Sequence, residues 1–293
     1  MTMNKSIIYI LFLTIIGVLS SCGTTSTDPT PTNALTQATI DKITAYGTSK
    51  GLTFTRTPED IFYTLTKTNS TGRKSLENEY SKVHYTITKL DGTITDSTAL
   101  VRNIPFTFLY TSSSNSLARY ATSFMKEGES SVFVFPTTTN STSPLAMNLT
   151  LLSTRNETEQ VNEYLQTTYK GFSFKKTTSG LQYILTKTSA SGDTVKVGKT
   201  ATVSYTGKFL YQYKSADSNG FPLYTDKFDS GSFSFAVGTS ATVPGFEEAT
   251  KLMKVGDKGI FVFPSVLGYG VTGKGTIAPY TPLLFEIEIT TIK

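Results

Sequence analysis

Compared with itself, the chain matches at an offset near 120 residues, and this self-similarity constrains its fold more than any other property of the sequence. Lys50-Gly51-Leu52-Thr53-Phe54 returns as Lys170-Gly171-Phe172-Ser173-Phe174, and Tyr63-Thr64-Leu65-Thr66-Lys67-Thr68 as Tyr183-Ile184-Leu185-Thr186-Lys187-Thr188. Val83-His84-Tyr85-Thr86 returns as Val203-Ser204-Tyr205-Thr206 at the same spacing of 120. The register then drifts. Phe106-Thr107-Phe108 pairs with Phe233-Ser234-Phe235 at 127, Phe133-Val134-Phe135-Pro136 with Phe261-Val262-Phe263-Pro264 at 128, and Pro144-Leu145 with Pro282-Leu283 at 138. Matches that keep one order, with shifts only between them, imply a duplicated unit.

Each unit opens with a helical lead-in, residues 37–49 and 157–169, and continues as strands, a Phe-x-Phe strand, a helix and two further strands. In the second copy the helix lies in Val243–Pro264. Phe246, Ala249, Leu252 and Met253 recur at helical spacing, acids stand in the first turn, lysines in the last, and Gly256 beyond it. This pattern predicts about three turns of amphipathic helix, followed by a buried strand at Ile260–Phe263. Several antiparallel strands with one helix laid on them form a two-layer α+β arrangement. The expected division is 37–154 for the first domain, 155–170 for a helical linker and 171–293 for the second domain. The copies differ at one revealing place: Val243-Pro244-Gly245-Phe246 is replaced by Asn115-Ser116-Leu117-Ala118. The second copy also carries ten extra residues between its last two matched blocks, Tyr269 and Ile277 among them. The first copy is expected to have kept the scaffold and lost the pocket.

The N-terminus reads as a targeting signal over residues 1–22, with Lys5 basic, Ile7 to Leu19 apolar, and Leu19-Ser20-Ser21-Cys22 at its end. About thirteen apolar residues are too few to span a bilayer. The tetrapeptide resembles a bacterial lipobox, which implies cleavage before Cys22 and attachment of lipid to its thiol. Residues 23–36 are polar and Pro-containing, a flexible tether. The expected address is the bacterial cell envelope, lipid-anchored to a membrane, on the periplasmic side of the outer membrane where the cell has one. The net charge of +5 is spread among acids without a basic run, so nucleic acid is not an expected partner. One cysteine and one histidine, His84, exclude a disulfide framework, a Ser-His-Asp triad and a multi-histidine metal site. No cofactor or metal is expected. Gly268-x-Gly270-x-x-Gly273 has dinucleotide-loop spacing but follows Pro264 and precedes no helix, so it is spurious.

Residues 179–293 resemble the FKBP-type peptidyl-prolyl cis-trans isomerases. The likeness rests on SGLQYILTKT at 179–188, VSYTGK at 203–208, KFDS at 227–230, FSFAVG at 233–238, VPGFEEATKLMKVGDK at 243–258, GYG at 268–270 and PLLFEIEI at 282–289. It implies tandem FKBP-like domains, the first degenerate, each a twisted antiparallel β-sheet wrapped around one short α-helix. It also implies a pocket built by Tyr205, Phe228, Asp229, Phe235, Val243, Phe246, Tyr269, Ile277 and Phe285. In this carry-over the Val243 N–H and the Tyr269 hydroxyl meet ligand carbonyls, and Phe246 is the floor. Three positions depart from the family's habit: Phe246 where Trp is more usual, Lys274 where histidine is common, and no arginine at the usual spacing after Asp229. The segment 209–227 is longer than the usual loop and is expected to reshape one rim.

The resemblance implies isomerisation of X-Pro bonds in unfolded, exported polypeptides, and macrolides as pocket ligands. Rotation about such a bond makes and breaks no covalent bond, so it needs an apolar box favouring the twisted amide and no nucleophile. The alternative is a chaperone or peptide-binding lipoprotein without turnover.

Overall fold

The computed structural model describes residues 35–98, 100–114, 116–136, 143–216 and 222–293. The signal segment, Cys22 and most of the tether lie outside these residues.

The first unit runs α1 (Gln37–Lys50), β1 (Thr55–Arg56), β2 (Phe62–Lys67), β3 (Glu79–Lys89), β4 (Ile94–Ser97), a 3₁₀ turn (Leu100–Arg102), β5 (Phe106–Tyr110), α2 (Leu117–Thr122), β6 (Ser130–Phe135) and β7 (Leu145–Arg155). The second runs α3 (Glu157–Thr168), β8 (Lys175–Lys176), β9 (Gln182–Lys187), β10 (Thr200–Ala216), β11 (Pro222–Ala236), α4 (Pro244–Lys251), β12 (Lys258–Phe263), a 3₁₀ turn (Ser265–Leu267) and β13 (Leu283–Ile292). The two sheets share one topology. The first is ordered β1-β2-β6-β7-β3-β4 with β5 also on β3, and the second β11-β10-β13-β12-β9-β8, all antiparallel. Where the second unit has one long β11, the first divides it into β4 and β5 around the 3₁₀ turn. Pairing across the repeat is in register: Phe133 faces Met147 as Phe261 faces Phe285, and Tyr85 faces Leu149 as Tyr205 faces Ile287. The duplication and the α+β class expected from the sequence are therefore present in the fold.

Each sheet buries one face against its own short helix. In the second unit Phe246, Ala249 and Met253 of the α4 segment lie in one cluster with Val203, Phe261, Phe263, Phe285 and Ile287. In the first, Ala118, Ala121 and Met125 meet Val83, Phe133, Phe135, Met147 and Leu149. Gly245 lets α4 approach this closely, because a Cβ there would stand 2.6 Å from the Phe263 ring. The lead-in helices cover the opposite faces: Ile43 of α1 packs with Phe62, Val134 and Ala146, and Val161 of α3 with Leu210, Val262 and Leu284.

The polar side of α3 is tied to the first unit. Arg155, at the end of β7, pairs with Glu127 at 2.5 Å and with Glu163 at 2.7 Å, Arg73 pairs with Glu159 at 2.8 Å and with Glu79, and Lys82 reaches Glu163 at 3.7 Å. A second tie is the Tyr80 hydroxyl, which donates to the Pro279 carbonyl at 2.9 Å and lies 2.6 Å from the Thr281 hydroxyl. One helix thus serves both units.

The helix in Val243–Pro264 is shorter than its apolar spacing predicts: α4 has eight residues and ends at Lys251. The chain continues as a tight turn, with Leu252 N–H donating to Ala249 and Met253 N–H to Thr250. Lys254 then bridges to Thr194, and its N–H donates to the Asp257 carboxylate at 2.8 Å. Tertiary pairing takes the last turn that periodicity assigns to helix. The described parts of segment 209–227, residues 209–216 and 222–227, extend the β10–β11 ribbon, with Phe209 stacked on Tyr211 at 5.3 Å and packed on Phe228 at 4.9 Å.

Candidate functional site

The N-terminal turn of α4 looks into a hollow of about 170 Å³. Its wall and floor are Tyr205, Phe228, Asp229, Phe233, Ala241, Thr242, Val243, Phe246, Tyr269 and Phe285. Each arrives by a local rule. Tyr205 shares one face of β10 with buried Val203 and so faces inward. Phe228 and Phe233 come from β11, Phe285 from β13, and Phe246 from the first turn of a helix that Pro244 starts at its N1 position.

Phe246 is the hub. Its ring lies 5.2 Å from that of Phe285 and 5.7 Å from that of Tyr205, both edge-on, and 5.7 Å from Phe233. These separations are those of favourable aromatic pairs. Phe228 closes one side, edge-on to Phe285 at 5.7 Å. Gly207 makes room for both walls, since a Cβ there would lie 2.6 Å from Phe228 and 3.0 Å from Phe285. The first unit has Ile87 at the matching position and neither ring.

Three polar features punctuate this apolar surface. The Tyr205 hydroxyl donates to Asp229 Oδ2 at 2.6 Å, and Asp229 Oδ1 accepts from the Ser230 N–H at 2.8 Å. The hydrogen bond to Asp229, with burial behind it, pushes the Tyr205 phenol up to about 12. Among the described residues Asp229 has no ion-pair partner, in keeping with the absent arginine. The Tyr269 hydroxyl has no hydrogen bond among the described residues; burial, then the nearby Asp229 charge, raises it above the ordinary phenol range. The Lys274 ammonium sits 5.5 Å from the Tyr269 ring centroid, holding that ring by a cation–π contact. Val243 is extended, its carbonyl accepting from the Phe246 and Glu247 N–H groups while its own N–H has no partner among the described residues.

Seven of the nine residues named from the sequence line this one hollow: Tyr205, Phe228, Asp229, Val243, Phe246, Tyr269 and Phe285. Phe235 and Ile277 do not. Both are buried in the core cluster behind it, Phe235 backing Phe246 at 6.2 Å and Ile277 closing a turn with Lys274. Phe233, Ala241 and Thr242 line the hollow and were not named. Phe233 had a signal, because it sits two residues from Phe235 on one strand and so shares its face. Thr242 had none; its hydroxyl is buried without a partner among the described residues. The described part of segment 209–227 supports the Phe228 wall through Phe209 and leaves the hollow open.

An antiparallel sheet, one short helix packed on it and an aromatic-lined hollow at the helix N-terminus make up this unit. The family pattern described as FKBP-type peptidyl-prolyl cis-trans isomerase matches residues 192–290. FK506-binding protein 1B of Neurospora crassa is 31% identical over 106 residues, 36% of this chain and 92% of that protein. The FKBP-type peptidyl-prolyl cis-trans isomerase FkpA of Aeromonas hydrophila is 33% identical over 131 residues, 45% of each chain. A probable FKBP-type isomerase of Haemophilus influenzae is 36% identical over 124 residues, 41% of this chain and 46% of that protein. The chain spans less than half the length of those two bacterial relatives. It belongs to the FKBP-type peptidyl-prolyl cis-trans isomerase family.

Proposed function

We propose that the second unit isomerises X-Pro peptide bonds of exported polypeptides, and that Cys22 carries a lipid holding the protein to the bacterial envelope membrane. The observation that carries the catalytic reading is the meeting of an apolar, ring-sized hollow with two lining residues, Val243 and Tyr269, whose backbone N–H and hydroxyl have no partner among the described residues. Cavities of about 150 Å³ lined by apolar side chains accept a benzene-sized ring, so a pyrrolidine ring fits here.

Rotation about the prolyl amide faces a barrier of roughly 18–20 kcal/mol and takes about 10–100 s uncatalysed at 25 °C. Water stabilises the planar amide by hydrogen-bonding its polarised oxygen. Phe228, Phe233, Phe246 and Phe285 strip that water away and leave the twisted, less polar amide at lower relative cost. The two donors fix the flanking carbonyls, so that the chain on one side of the bond is held while the other turns. Asp229, oriented by Tyr205, presents its charge to the amide carbon as the partial double bond is lost. Drugs of the macrolide class would occupy the same hollow.

The test is isomerase turnover of a proline-containing tetrapeptide by the mature chain and by two variants. Tyr269→Phe removes one hydrogen bond to a neutral carbonyl, for an expected loss of about 3- to 10-fold in kcat/KM. Phe246→Leu, which removes the aromatic floor, should lose more. Equal rates in all three proteins reject the assignment. A second reading, peptide gripping without turnover, is favoured by an Asp229 carboxylate that has no ion-pair partner among the described residues; suppression of client aggregation with no turnover would select it. Release from membranes in a Cys22→Ala variant tests the anchor.

A further inference from the structure

The junction between the units encloses a second cavity, of about 140 Å³, that the isomerase reading does not use. The first unit contributes Tyr85, Phe106 and Thr107; the β10–β11 ribbon of the second contributes Tyr213, Lys214 and Tyr224. Two of these residues are the repeat counterparts of site residues in the second unit. Tyr85 corresponds to Tyr205 and Phe106 to Phe233, and the geometry is kept: the rings of each pair meet edge-on at 88°, 5.9 Å apart in the first unit and 5.4 Å in the second. Tyr85 also keeps a carboxylate partner, its hydroxyl donating to Asp96 at 2.8 Å. The first unit has lost its helix floor but not this corner.

What the first unit lacks, the second supplies. Tyr224 and Tyr213 stand as the opposite wall, and the Arg102 guanidinium lies 5.9 Å from the Tyr224 ring centroid, pinning the ribbon to the first unit by a cation–π contact. The wall bears one unmet need. The Thr107 hydroxyl oxygen is buried, closed to water as it stands, and has no hydrogen-bond partner among the described residues, a state that costs free energy until the side chain turns and something pairs with it. An occupant therefore needs a ring for the aromatic walls and an adjacent hydrogen-bonding group for Thr107.

We infer that this junction cavity is a holding subsite for an aromatic side chain of an unfolded polypeptide, with the carbonyl of the same residue accepting from the Thr107 hydroxyl once that side chain turns toward the cavity. An aromatic ring matches the volume and gains edge-on pairs with Tyr85, Phe106 and Tyr224. Folded proteins bury such rings and unfolded chains expose them, so the subsite selects the non-native client. The choice of a polypeptide as occupant rests on the isomerase reading; the existence of a ring-binding cavity does not.

The probe is N-acetyl-phenylalanine methylamide, which has no proline, added to the mature chain while backbone amide NMR shifts are followed. Saturable shifts are expected at residues 104–107, 212–214 and 224. Thr107→Val should weaken binding about 3- to 10-fold while tetrapeptide isomerisation stays unchanged. Tyr224→Ala, on the ribbon, should weaken it about 10-fold and provides the reading should Thr107→Val unfold the first unit. Phe246→Leu, which disables the second unit's hollow, should leave the junction shifts in place. Shifts confined to residues around Phe246, or shifts that Phe246→Leu abolishes, place the ring in the isomerase hollow and overturn the inference, as does unchanged affinity in both junction variants. A chain with no isomerase turnover that still shows the junction shifts sinks the isomerase reading alone.

Discussion

The two units have the same strand order and the same pairing register, yet they keep their aromatic mass at opposite ends of the helix. In the second unit, Tyr205, Phe228, Phe233 and Phe285 gather around Phe246, at the N-terminal turn of α4. In the first, that turn holds Ala118, and the rings sit at the other end of α2. Tyr63, Tyr120 and Phe133 surround Phe124 at 4.9, 5.2 and 5.9 Å. The repeat counterparts of Tyr120 and Phe124 in the second unit are Glu248 and Leu252, and the counterpart of Phe285 is Met147. A fixed scaffold needs a certain amount of apolar filling, but the location of that filling is free. Placed at the sheet's mouth it makes a hollow, and placed at its far end it makes only a core.

The sharpest way to break this contrast is to remove the floor. Phe246→Ala gives the second unit the residue of the first, and truncating a buried phenylalanine costs about 3–5 kcal/mol of stability, read as a lower denaturation midpoint with isomerase turnover lost in the same sample. The reverse change, Ala118→Phe, should create no turnover, because the Tyr269 segment has no counterpart in the first unit. A smaller effect is expected at Gly207. Its counterpart, Ile87, packs comfortably where no Phe228 or Phe285 ring stands, whereas Gly207→Ala drives a methyl into both rings. Overpacking of this kind costs about 1–3 kcal/mol, and affinity for a pocket ligand should fall with stability. Smaller still is the ion-pair tie of α3. Glu163→Gln removes the partner of Arg155 and Lys82 in side chains that remain about one-third exposed. A loss of less than about 1 kcal/mol is expected, with the clearer signal in faster amide exchange at the junction.

The succession of elements was readable in advance because a duplicated sequence carries its own control, and most of the hollow's lining because the second copy resembles a known family. Blocks present twice carry the scaffold, with Tyr205 and Phe233 of the hollow among them, and the blocks that differ, Val243–Phe246 and the Tyr269 segment, mark where the units diverge. The limits had physical causes. Phe233 and Phe235 point the same way on one strand, and spacing alone does not say that Phe233 lines the hollow while Phe235 backs Phe246. The last turn expected of α4 was overridden by the Thr194–Lys254 bridge and by Asp257, a contact between residues distant in sequence. The junction cavity was not legible at all. Its two halves belong to different units, and nothing in local spacing says that Tyr224 will face Phe106.

The finest comparison is between the two Tyr–Asp pairs, Tyr205 with Asp229 and Tyr85 with Asp96. In the second unit the hydrogen bond to Asp229 is the largest cause raising the Tyr205 phenol to about 12; in the first, burial is the largest cause raising Tyr85, and the Asp96 bond comes second. Both shifts are upward from a phenol's usual value of about 10. A raised phenol contributes stability that is complete below the unfolded pKa and is lost as pH climbs from about 10 through the folded value. Turnover that depends on the Tyr205–Asp229 pair should therefore show no Tyr205 ionisation anywhere near neutral pH. Asp229→Asn removes the charge that opposes ionisation, so the tyrosinate absorbance step of Tyr205 should move down from about 12 toward about 10. Asp96→Asn should move Tyr85 less, because burial remains. An equal displacement in both variants would mean that the carboxylates dominate at both sites and that the first unit's corner is as open to water as the second's.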